Sequence, residues 1–196
     1  MARQGTIVTV KPDGNPLSVL QAKRQLRLEP EDTEEDEHIA ELCAAAGRKV
    51  ERDLGYPVLR QTCETHLDAF PRGPIWLGGG DDMAVVALRY IDSAGVSQTV
   101  APANYVLNAV GRVAELYPAP LFSWPSTQCR PGAVVVEWQA GWAGPSDVPE
   151  DLVHAMKMLV GHWDRNRDAV IVGSISQEVK VAYDELIEQF RVPFVA

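Results

Sequence analysis

The stretch Asp53-Leu-Gly-Tyr-Pro-Val-Leu-Arg-Gln-Thr62 marks the position where the hydrophobic pattern of this chain changes. Before it, apolar side chains recur every three to four residues, which is the period of a helix. After it, polar and apolar residues alternate, which is the period of a strand. Gly55 and Pro57 stand in the order in which helices usually end. The sequence therefore predicts a helical part up to residue 57 and a β-rich part from residue 58.

Two helices are predicted upstream of this change. Ser18 has Gln21 three residues later, which is a capping box, and a short helix is expected over residues 19–27. The second half of the acidic stretch 29–37 is expected to form the first turn of the second helix, because carboxylates favour the positive end of a helix dipole, and Thr33 is its expected N-cap. The apolar face of this second helix comprises Ile39, Leu42, Cys43, Ala46, Val50 and Leu54.

The first sixteen residues are predicted to be an extended N-terminal arm. Pro12, Gly14 and Pro16 argue against regular structure in this part of the chain. No apolar core of a signal peptide is present within the first eleven residues.

Alternation downstream of residue 58 predicts an antiparallel β-sheet or small sandwich over residues 58–142. The clearest strand is 133–140, where Val134, Val136 and Trp138 alternate with polar or smaller neighbours. The glycine-rich segment 78–82 lacks the lysine of a phosphate-binding loop and is expected to be a tight connection between strands. Further strands are predicted at 59–68, 83–91, 96–100, 105–107 and 113–116, with a proline-rich loop at 118–131.

Two more helices are predicted after the β-rich part. The third helix should begin at Pro149, whose missing N–H is tolerated at the first helical position. At 100° per residue, His154 and Met158 point away from its apolar face. They form either a second contact surface or, for Met158, a single exposed methionine of the common kind. The apolar face itself comprises Leu152, Val153, Met156, Leu159, Val160 and Trp163.

The predicted fold class is α+β, a small helical bundle interrupted by an inserted antiparallel β-sheet or sandwich. The division is an arm at 1–16, helical parts at 17–57 and 143–191, the β-rich insertion at 58–142 and a tail at 192–196. The last helix is expected at 179–190, after a loop. The tail is short and apolar, so it either folds back on its own domain or docks into a neighbouring protein.

Composition excludes several classes of protein. The chain has 196 residues and a net charge of −9, which is the opposite of the basic character of most nucleic-acid-binding proteins. The acidity serves solubility, or it forms a surface over which a polyanion slides. Three widely spaced cysteines without a CxxC pair indicate reduced thiols in a cytoplasmic setting. No apolar run is long enough to cross a membrane.

The sequence contains no standard catalytic motif. The protein is therefore predicted not to be an enzyme and to hold neither metal nor cofactor. The four histidines are not spaced to share a metal ion. Trp76, Trp124 and Trp142 lie at expected strand ends or in loops, where aromatic side chains either anchor a partner or plug the end of a sandwich.

Several ordered motifs resemble one known family. They are Leu17-Ser-Val-Leu-Gln-Ala-Lys-Arg-Gln-Leu26, the acidic entry into residues 35–46, the stretch 53–62, and Trp124-Pro125 with Arg130-Pro131 and residues 134–136. The most specific is Val148-Pro-Glu-Asp-Leu152 with Ala155 and His162-Trp-Asp-Arg-Asn-Arg167. In this order they resemble head–tail connector proteins of tailed phages, the adaptor subunits below the portal, which also occur in prophages and gene transfer agents.

The resemblance implies a ring, commonly of twelve copies, bound to the portal protein and to a stopper or tail-completion protein. DNA would pass through its channel without specific binding. The expected location is the head–tail interface of the virion, and the host cytoplasm during assembly. A C-terminal segment would grip the portal, and the sequence offers Phe190, Arg191, Val192, Pro193, Phe194 and Val195 for this role. Other expected contact residues are His154, Met158, Trp76 and Trp124.

Two alternatives stay open at this point. The first is a stopper or tail-completion protein of the same assembly. The second is a carbohydrate-binding module, which would need Trp76, Trp124 and Trp142 to be exposed and coplanar.

Overall fold

The computed structural model describes residues 4–167 and 177–192. Within these residues the chain forms four α-helices and eight β-strands, and the strands make two antiparallel sheets. The predicted α+β class is confirmed. The chain divides into two compact units, a β unit of residues 1–12 and 60–141 and a helical unit of residues 13–59 and 142–196.

The β unit contains a five-stranded and a three-stranded sheet. The order in the larger sheet is β1-β2-β8-β4-β5, and in the smaller sheet it is β3-β7-β6. The strands are β1 Gln4–Val10, β2 Gln61–Leu67, β3 Ile75–Gly79, β4 Ala84–Ile91, β5 Ser97–Thr99, β6 Tyr105–Val110, β7 Val113–Pro118 and β8 Val134–Ala140.

Both sheets contribute buried side chains to one core. Leu88 and Val136 come from the larger sheet, and Leu77 and Leu116 come from the smaller sheet. The alternation predicted for β8 is confirmed, since every second residue from Val134 is buried. A sandwich results because each sheet has one apolar face and the two apolar faces cover each other.

Strand β1 differs from the expectation for the N-terminal arm. Gln4–Val10 pairs antiparallel with β2, with Gln4 opposite Leu67 and Ile7 opposite Glu64. The expectation of an arm without regular structure is therefore wrong for this stretch. Its β-branched residues favour a strand, and the turn-forming Pro12, Gly14 and Pro16 begin only after the strand has ended.

Strand β3 was also not predicted. Its glycines disfavour a strand in isolation, but Gly78 has a positive φ of 99°, and a Cβ built there would lie 3.5 Å from the ring of Trp138. The positive φ, at the irregularity between Trp76 and Gly78, is a backbone conformation that glycine adopts without strain. As a consequence Trp76 lies within a strand and not at a strand end.

The helical unit contains α1 Val19–Leu26, α2 Asp36–Leu54, α3 Glu150–Arg165 and α4 Gln177–Glu188. The capping box of Ser18 and Gln21 is confirmed, with both reciprocal hydrogen bonds present. Thr33 is not the N-cap of α2, because Glu35 occupies that position and Thr33 accepts a turn hydrogen bond from the Asp36 N–H through its carbonyl oxygen. Pro149 lies at the N-cap of α3, one residue before its predicted place.

All four helices contribute to the core of the helical unit. The predicted apolar faces of α2 and α3 are buried throughout. Cys43 belongs to this core, and burial raises the pKa of its thiol to about 11, so the group stays protonated at neutral pH. The helices therefore form a packed body around this core.

Candidate interaction surfaces

The exposed apolar side chains are concentrated in the β unit. Ten of the twelve large exposed hydrophobic residues of the described chain belong to it, and the two others, Leu20 and Val181, are in the helical unit. Within the described residues, no cluster of histidine, cysteine or carboxylate side chains is placed to hold a metal ion. None of the described helices could span a membrane.

The outer face of the three-stranded sheet is the first such surface, called the sheet face here. Its exposed members are Trp76 on β3, Tyr117 on β7, and Val106 and Val110 on β6. Val110 is 71% exposed and Trp76 is 44% exposed. On β3 and β7 the adjacent Ile75, Leu77 and Leu116 are buried, so the alternation of these two strands directs Trp76 and Tyr117 outward.

Glu115 lies in the middle of the sheet face. It is opposite Trp76 on one side and opposite Asn108 on the other. Its Oε2 accepts hydrogen bonds from Asn108 Nδ2 at 3.3 Å and from the Tyr117 hydroxyl at 3.1 Å. The bond to this carboxylate is the main reason that the pKa of Tyr117 is raised. The sheet face is thus an apolar surface with one fixed negative charge.

The free edge of β1 is the second surface, called the edge surface here. Among the strands of the described residues, β1 is hydrogen-bonded to β2 alone, so its other edge has no strand beside it. Ile7, Val8 and Val10 are 53%, 49% and 58% exposed, and the exposed Lys11 follows directly. Edge strands of this length and apolarity without a protecting proline or central charge are templates for association.

Leu121 extends the apolar character of the β unit into the loop after β7. Its side chain is fully exposed and its backbone has a φ of 67°. A branched aliphatic residue in the left-handed region carries a conformational cost. The loop keeps this geometry through backbone hydrogen bonds from Ala119 N–H to the Asn104 carbonyl and from Phe122 N–H to the Ala119 carbonyl.

The two other tryptophans considered as anchors are packed in cores. Trp124 stacks on Phe70 with ring centroids 4.8 Å apart and an interplanar angle of 7°. Trp142 packs, partly buried, against the core of the helical unit. An exposed carbohydrate platform needs free ring faces, and the core contacts of these two residues weigh against that alternative.

His154 lies in a groove at the beginning of α3. The groove has a volume of about 530 Å³ and is lined in part by Gln21, Glu150 and Lys157. Met158 is partly buried and does not line the groove. The structure therefore places His154 at a concave polar surface and does not bring Met158 to it.

The C-terminal residues assigned to portal binding separate into two groups. Phe190 is a core residue of the helical unit, and its carbonyl accepts a hydrogen bond from the Tyr56 hydroxyl at 2.7 Å. Arg191 forms ion pairs with Asp184 and Glu188, and Val192 packs against the core. The remaining residues, Pro193, Phe194 and Val195, lie outside the described residues.

Polar contacts that sequence reasoning missed hold the helical unit together. The Lys23 side chain is buried, pairs with Asp36, and donates to the carbonyls of Pro30 and Asp32. The acidic loop before α2 thus folds around one lysine. The signal for these contacts in the sequence was the position of Lys23 among the apolar residues of α1. A lysine at such a position needs polar partners, because lysine is rarely buried without them.

A second missed contact network starts at Arg167. Its guanidinium donates to both carboxylate oxygens of Glu35, at 2.9 and 2.6 Å, and it also pairs with Asp164. The hydrogen bonds from Arg167 are the main reason that the pKa of Glu35 is lowered. This fork-to-fork geometry connects the second residue after α3 with the N-cap of α2.

The sequence also matches the profile of a known protein family. The profile of the family described as head completion protein matches residues 18–180. The chain belongs to the head completion protein family. The match covers α1, α2, α3 and the strands from β2 to β8, and leaves out β1 and the C-terminal end of α4. The predicted relationship to head–tail connector proteins is confirmed at this level.

Solved structures share the fold of this family member. A chain in the virion of a native gene transfer agent particle has a TM-score of 0.78 and 23% identity, and the alignment covers 97% of both chains. A chain in the neck of an empty particle, computed with C6 symmetry, also has a TM-score of 0.78 and 23% identity, covering 98% of this chain and 97% of that chain.

A third structure is the neck of a native particle computed with C12 symmetry. Its chain has a TM-score of 0.67 and 24% identity, and the alignment covers 100% of this chain and 97% of that chain. At these identities the likeness demonstrates a common fold that includes β1. None of the curated proteins compared with the chain matches its sequence.

Proposed function

We propose that this protein is a structural subunit of a head–tail junction and, within it, an adaptor that forms a ring below the portal. The match of residues 18–180 to the head completion protein family carries this proposal. The concentration of exposed apolar side chains in one unit supports it, because such patches mark sites of protein association. A structural role does not require a catalytic site.

The proposed ring contains about twelve copies. Support comes from the likeness to a neck chain whose particle was computed with C12 symmetry. Closed rings of identical subunits are the usual result of head-to-tail contacts whose rotation closes. The ring would lie between the portal protein and a stopper or tail-completion protein, in the virion, after assembly in the host cytoplasm.

The net charge of −9 supports a channel through which DNA slides without specific binding. A surface of like charge repels the phosphate backbone and gives no counterion release on contact. The acidic character of the whole chain is the basis of this part of the proposal.

A direct test is electron microscopy of the purified protein mixed with the portal protein of the same particle. We expect closed rings stacked coaxially on one end of the portal. Sedimentation velocity of the protein alone and of the mixture would give the mass of each assembly. A protein that stays monomeric and does not bind the portal under these conditions would exclude the adaptor role.

The same experiment separates an adaptor from a stopper. A stopper should ignore the bare portal and bind only when an adaptor ring is already present. Binding to the bare portal therefore supports the adaptor. Binding that needs a preformed adaptor ring would reassign the protein to the stopper or tail-completion role.

A further inference from the structure

The two apolar surfaces of the β unit differ in shape and in charge. The sheet face is broad and aromatic, and Glu115 lies at its centre. The edge surface is a single strand with exposed β-branched side chains, and Lys11 ends it. They belong to different sheets, so one subunit presents both at the same time.

A ring of identical subunits requires this kind of pair. In a head-to-tail ring each subunit uses one patch toward the preceding copy and a different, complementary patch toward the next copy. A self-complementary patch would instead close a dimer with twofold symmetry. The opposite charges of Lys11 and Glu115 make the two surfaces of the β unit complementary and make each of them repel itself.

We propose that the edge surface of one copy docks on the sheet face of the next copy and that this contact closes the ring. Ile7 and Val10, which the irregularity after Val8 places on the same face of β1, would lie against Trp76 and Val106, and Lys11 would approach Glu115. This inference rests on the proposed function, because it names the contact by which the proposed ring forms.

The sheet face is prepared for such a contact. Hydrogen bonds from Asn108 and Tyr117 hold the carboxylate of Glu115, so little side-chain entropy is lost when a cation approaches it. Trp76 and Tyr117 provide the aromatic area that dominates the energetics of many interfaces. Leu121, exposed in a left-handed conformation after β7, adds a further apolar group to the β unit.

Charge reversal tests the pairing of the two surfaces. The single variants Lys11→Glu and Glu115→Lys each place like charges across the proposed contact. We expect each variant alone to assemble at least about tenfold more weakly than the unchanged protein, in sedimentation velocity with and without portal. Thermal unfolding would show that both variants remain folded.

A mixture of the two variants gives the sharper result. In a ring where they alternate, every contact again joins opposite charges, as Lys11 with Glu115 or as the two reversed residues with each other. An even-numbered ring accommodates this alternation. We therefore expect the equimolar mixture to recover assembly that neither variant shows alone, and the double variant Lys11→Glu/Glu115→Lys to recover it too.

Two valines give a matched control for the apolar part of the contact. Val106 on the sheet face and Val96 in the β4–β5 turn are 50% and 54% exposed. We expect Val106→Ser to weaken assembly by about tenfold. Val96→Ser should leave it unchanged.

The experiments distinguish a failure of the proposed contact from a failure of the proposed function. If the unchanged protein forms rings on the portal but both single charge variants and Val106→Ser do so equally well, the contact is wrong and the adaptor function stands. If the single variants fail and neither the mixture nor the double variant recovers, the two surfaces do not pair with each other. If the unchanged protein forms no ring with the portal, the proposed function itself fails, and this inference fails with it.

Discussion

Tyr183 is the residue at which the helical unit is most sensitive to ionisation. Its side chain is 1% exposed, and its hydroxyl donates to Asp53 Oδ2 at 2.8 Å. Lys49 pairs with the same carboxylate and lies 5.2 Å from the centre of the tyrosine ring. Burial, and then the bond to Asp53, raise the pKa of Tyr183 well above its ordinary value.

The raised pKa of Tyr183 predicts a loss of stability in alkali. Below the ordinary tyrosine pKa of about 10 the side chain is neutral in both states, and its contribution to folding is complete. Above that pH the unfolded chain loses the phenolic proton while the folded chain keeps it, so stability falls as pH rises. Thermal unfolding between pH 7 and 11 should show a decline in melting temperature.

The variant Tyr183→Phe isolates this effect. At pH 7 it should lower the free energy of unfolding by about 1–3 kcal/mol, because Asp53 loses a buried donor. The difference between the two proteins should then shrink above pH 10. Cys43, which also titrates in alkali, is present in both and cancels. A difference that stays constant up to pH 11 would contradict the role given to Tyr183.

Contacts between individual polar residues, such as the one between Tyr183 and Asp53, were not predicted from the sequence. The helix predicted at 179–190 gave no sign of the bond from Tyr183 to Asp53, because the two residues are 130 positions apart in the chain. Lys23 was missed for a related reason, since an isolated lysine in a helix is normally solvated. Long-range polar pairs leave no periodic trace in one sequence.

At the scale of elements, helices and strands were predicted correctly where the residues that determine them are close together in the sequence. The capping box of α1 needs only Ser18 and Gln21, and the alternation of β8 is contained in seven residues. Strand β1 was missed because its only partner, β2, begins about fifty residues later in the chain. Strand β3 was missed because its glycines disfavour a strand, and the positive φ of Gly78 is evident only in the folded backbone.

The exposure of the candidate contact residues was predicted for some of them and not for others, for the same reason. Exposure of Trp76 and His154 agrees with their predicted place outside the apolar patterns. Trp124 and Phe190, which are also expected to contact partners, pack against residues of their own units. Periodicity separates the faces of one element, but it cannot show which apolar loop or terminal residue the rest of the chain will cover.

The end of α4 makes the tail proposal testable at the element scale. We propose that residues 193–196 grip the portal. A chain that ends at Val192 should keep its melting temperature and lose portal binding in a pull-down experiment. A chain that ends at Gln189 also loses Phe190, and its stability should fall by about 3–5 kcal/mol, as expected for a deleted core aromatic.

Phe190→Ala in the full-length chain is the matched control, because it removes the core aromatic and keeps the tail. It should lower stability and still bind portal at temperatures where it is folded. Normal portal binding by the chain that ends at Val192 would show that the tail is not the anchor.

At the scale of the whole molecule, charge dominates the expected behaviour toward DNA. With a net charge of −9, the protein at pH 7 should not retard duplex DNA in a gel at about 0.1 M salt, where a basic binding protein would. Retardation that weakens as salt is raised would reveal a cationic surface and contradict the sliding channel. A basic DNA-binding protein run in parallel is the positive control.

The path of the chain between its two units has a consequence for synthesis on the ribosome. The chain passes from the β unit to the helical unit after Pro12, returns at Arg60, and leaves again after Gly141. Strand β1 therefore stays unpaired until β2 has been translated. Helices α1 and α2 cannot complete their core until α3 has been translated, and α3 follows the whole β-rich segment. Such long-range closure delays folding until most of the polypeptide has emerged. A prematurely terminated chain would lack the elements that complete its helical core, so interrupted translation products would not form the helical unit.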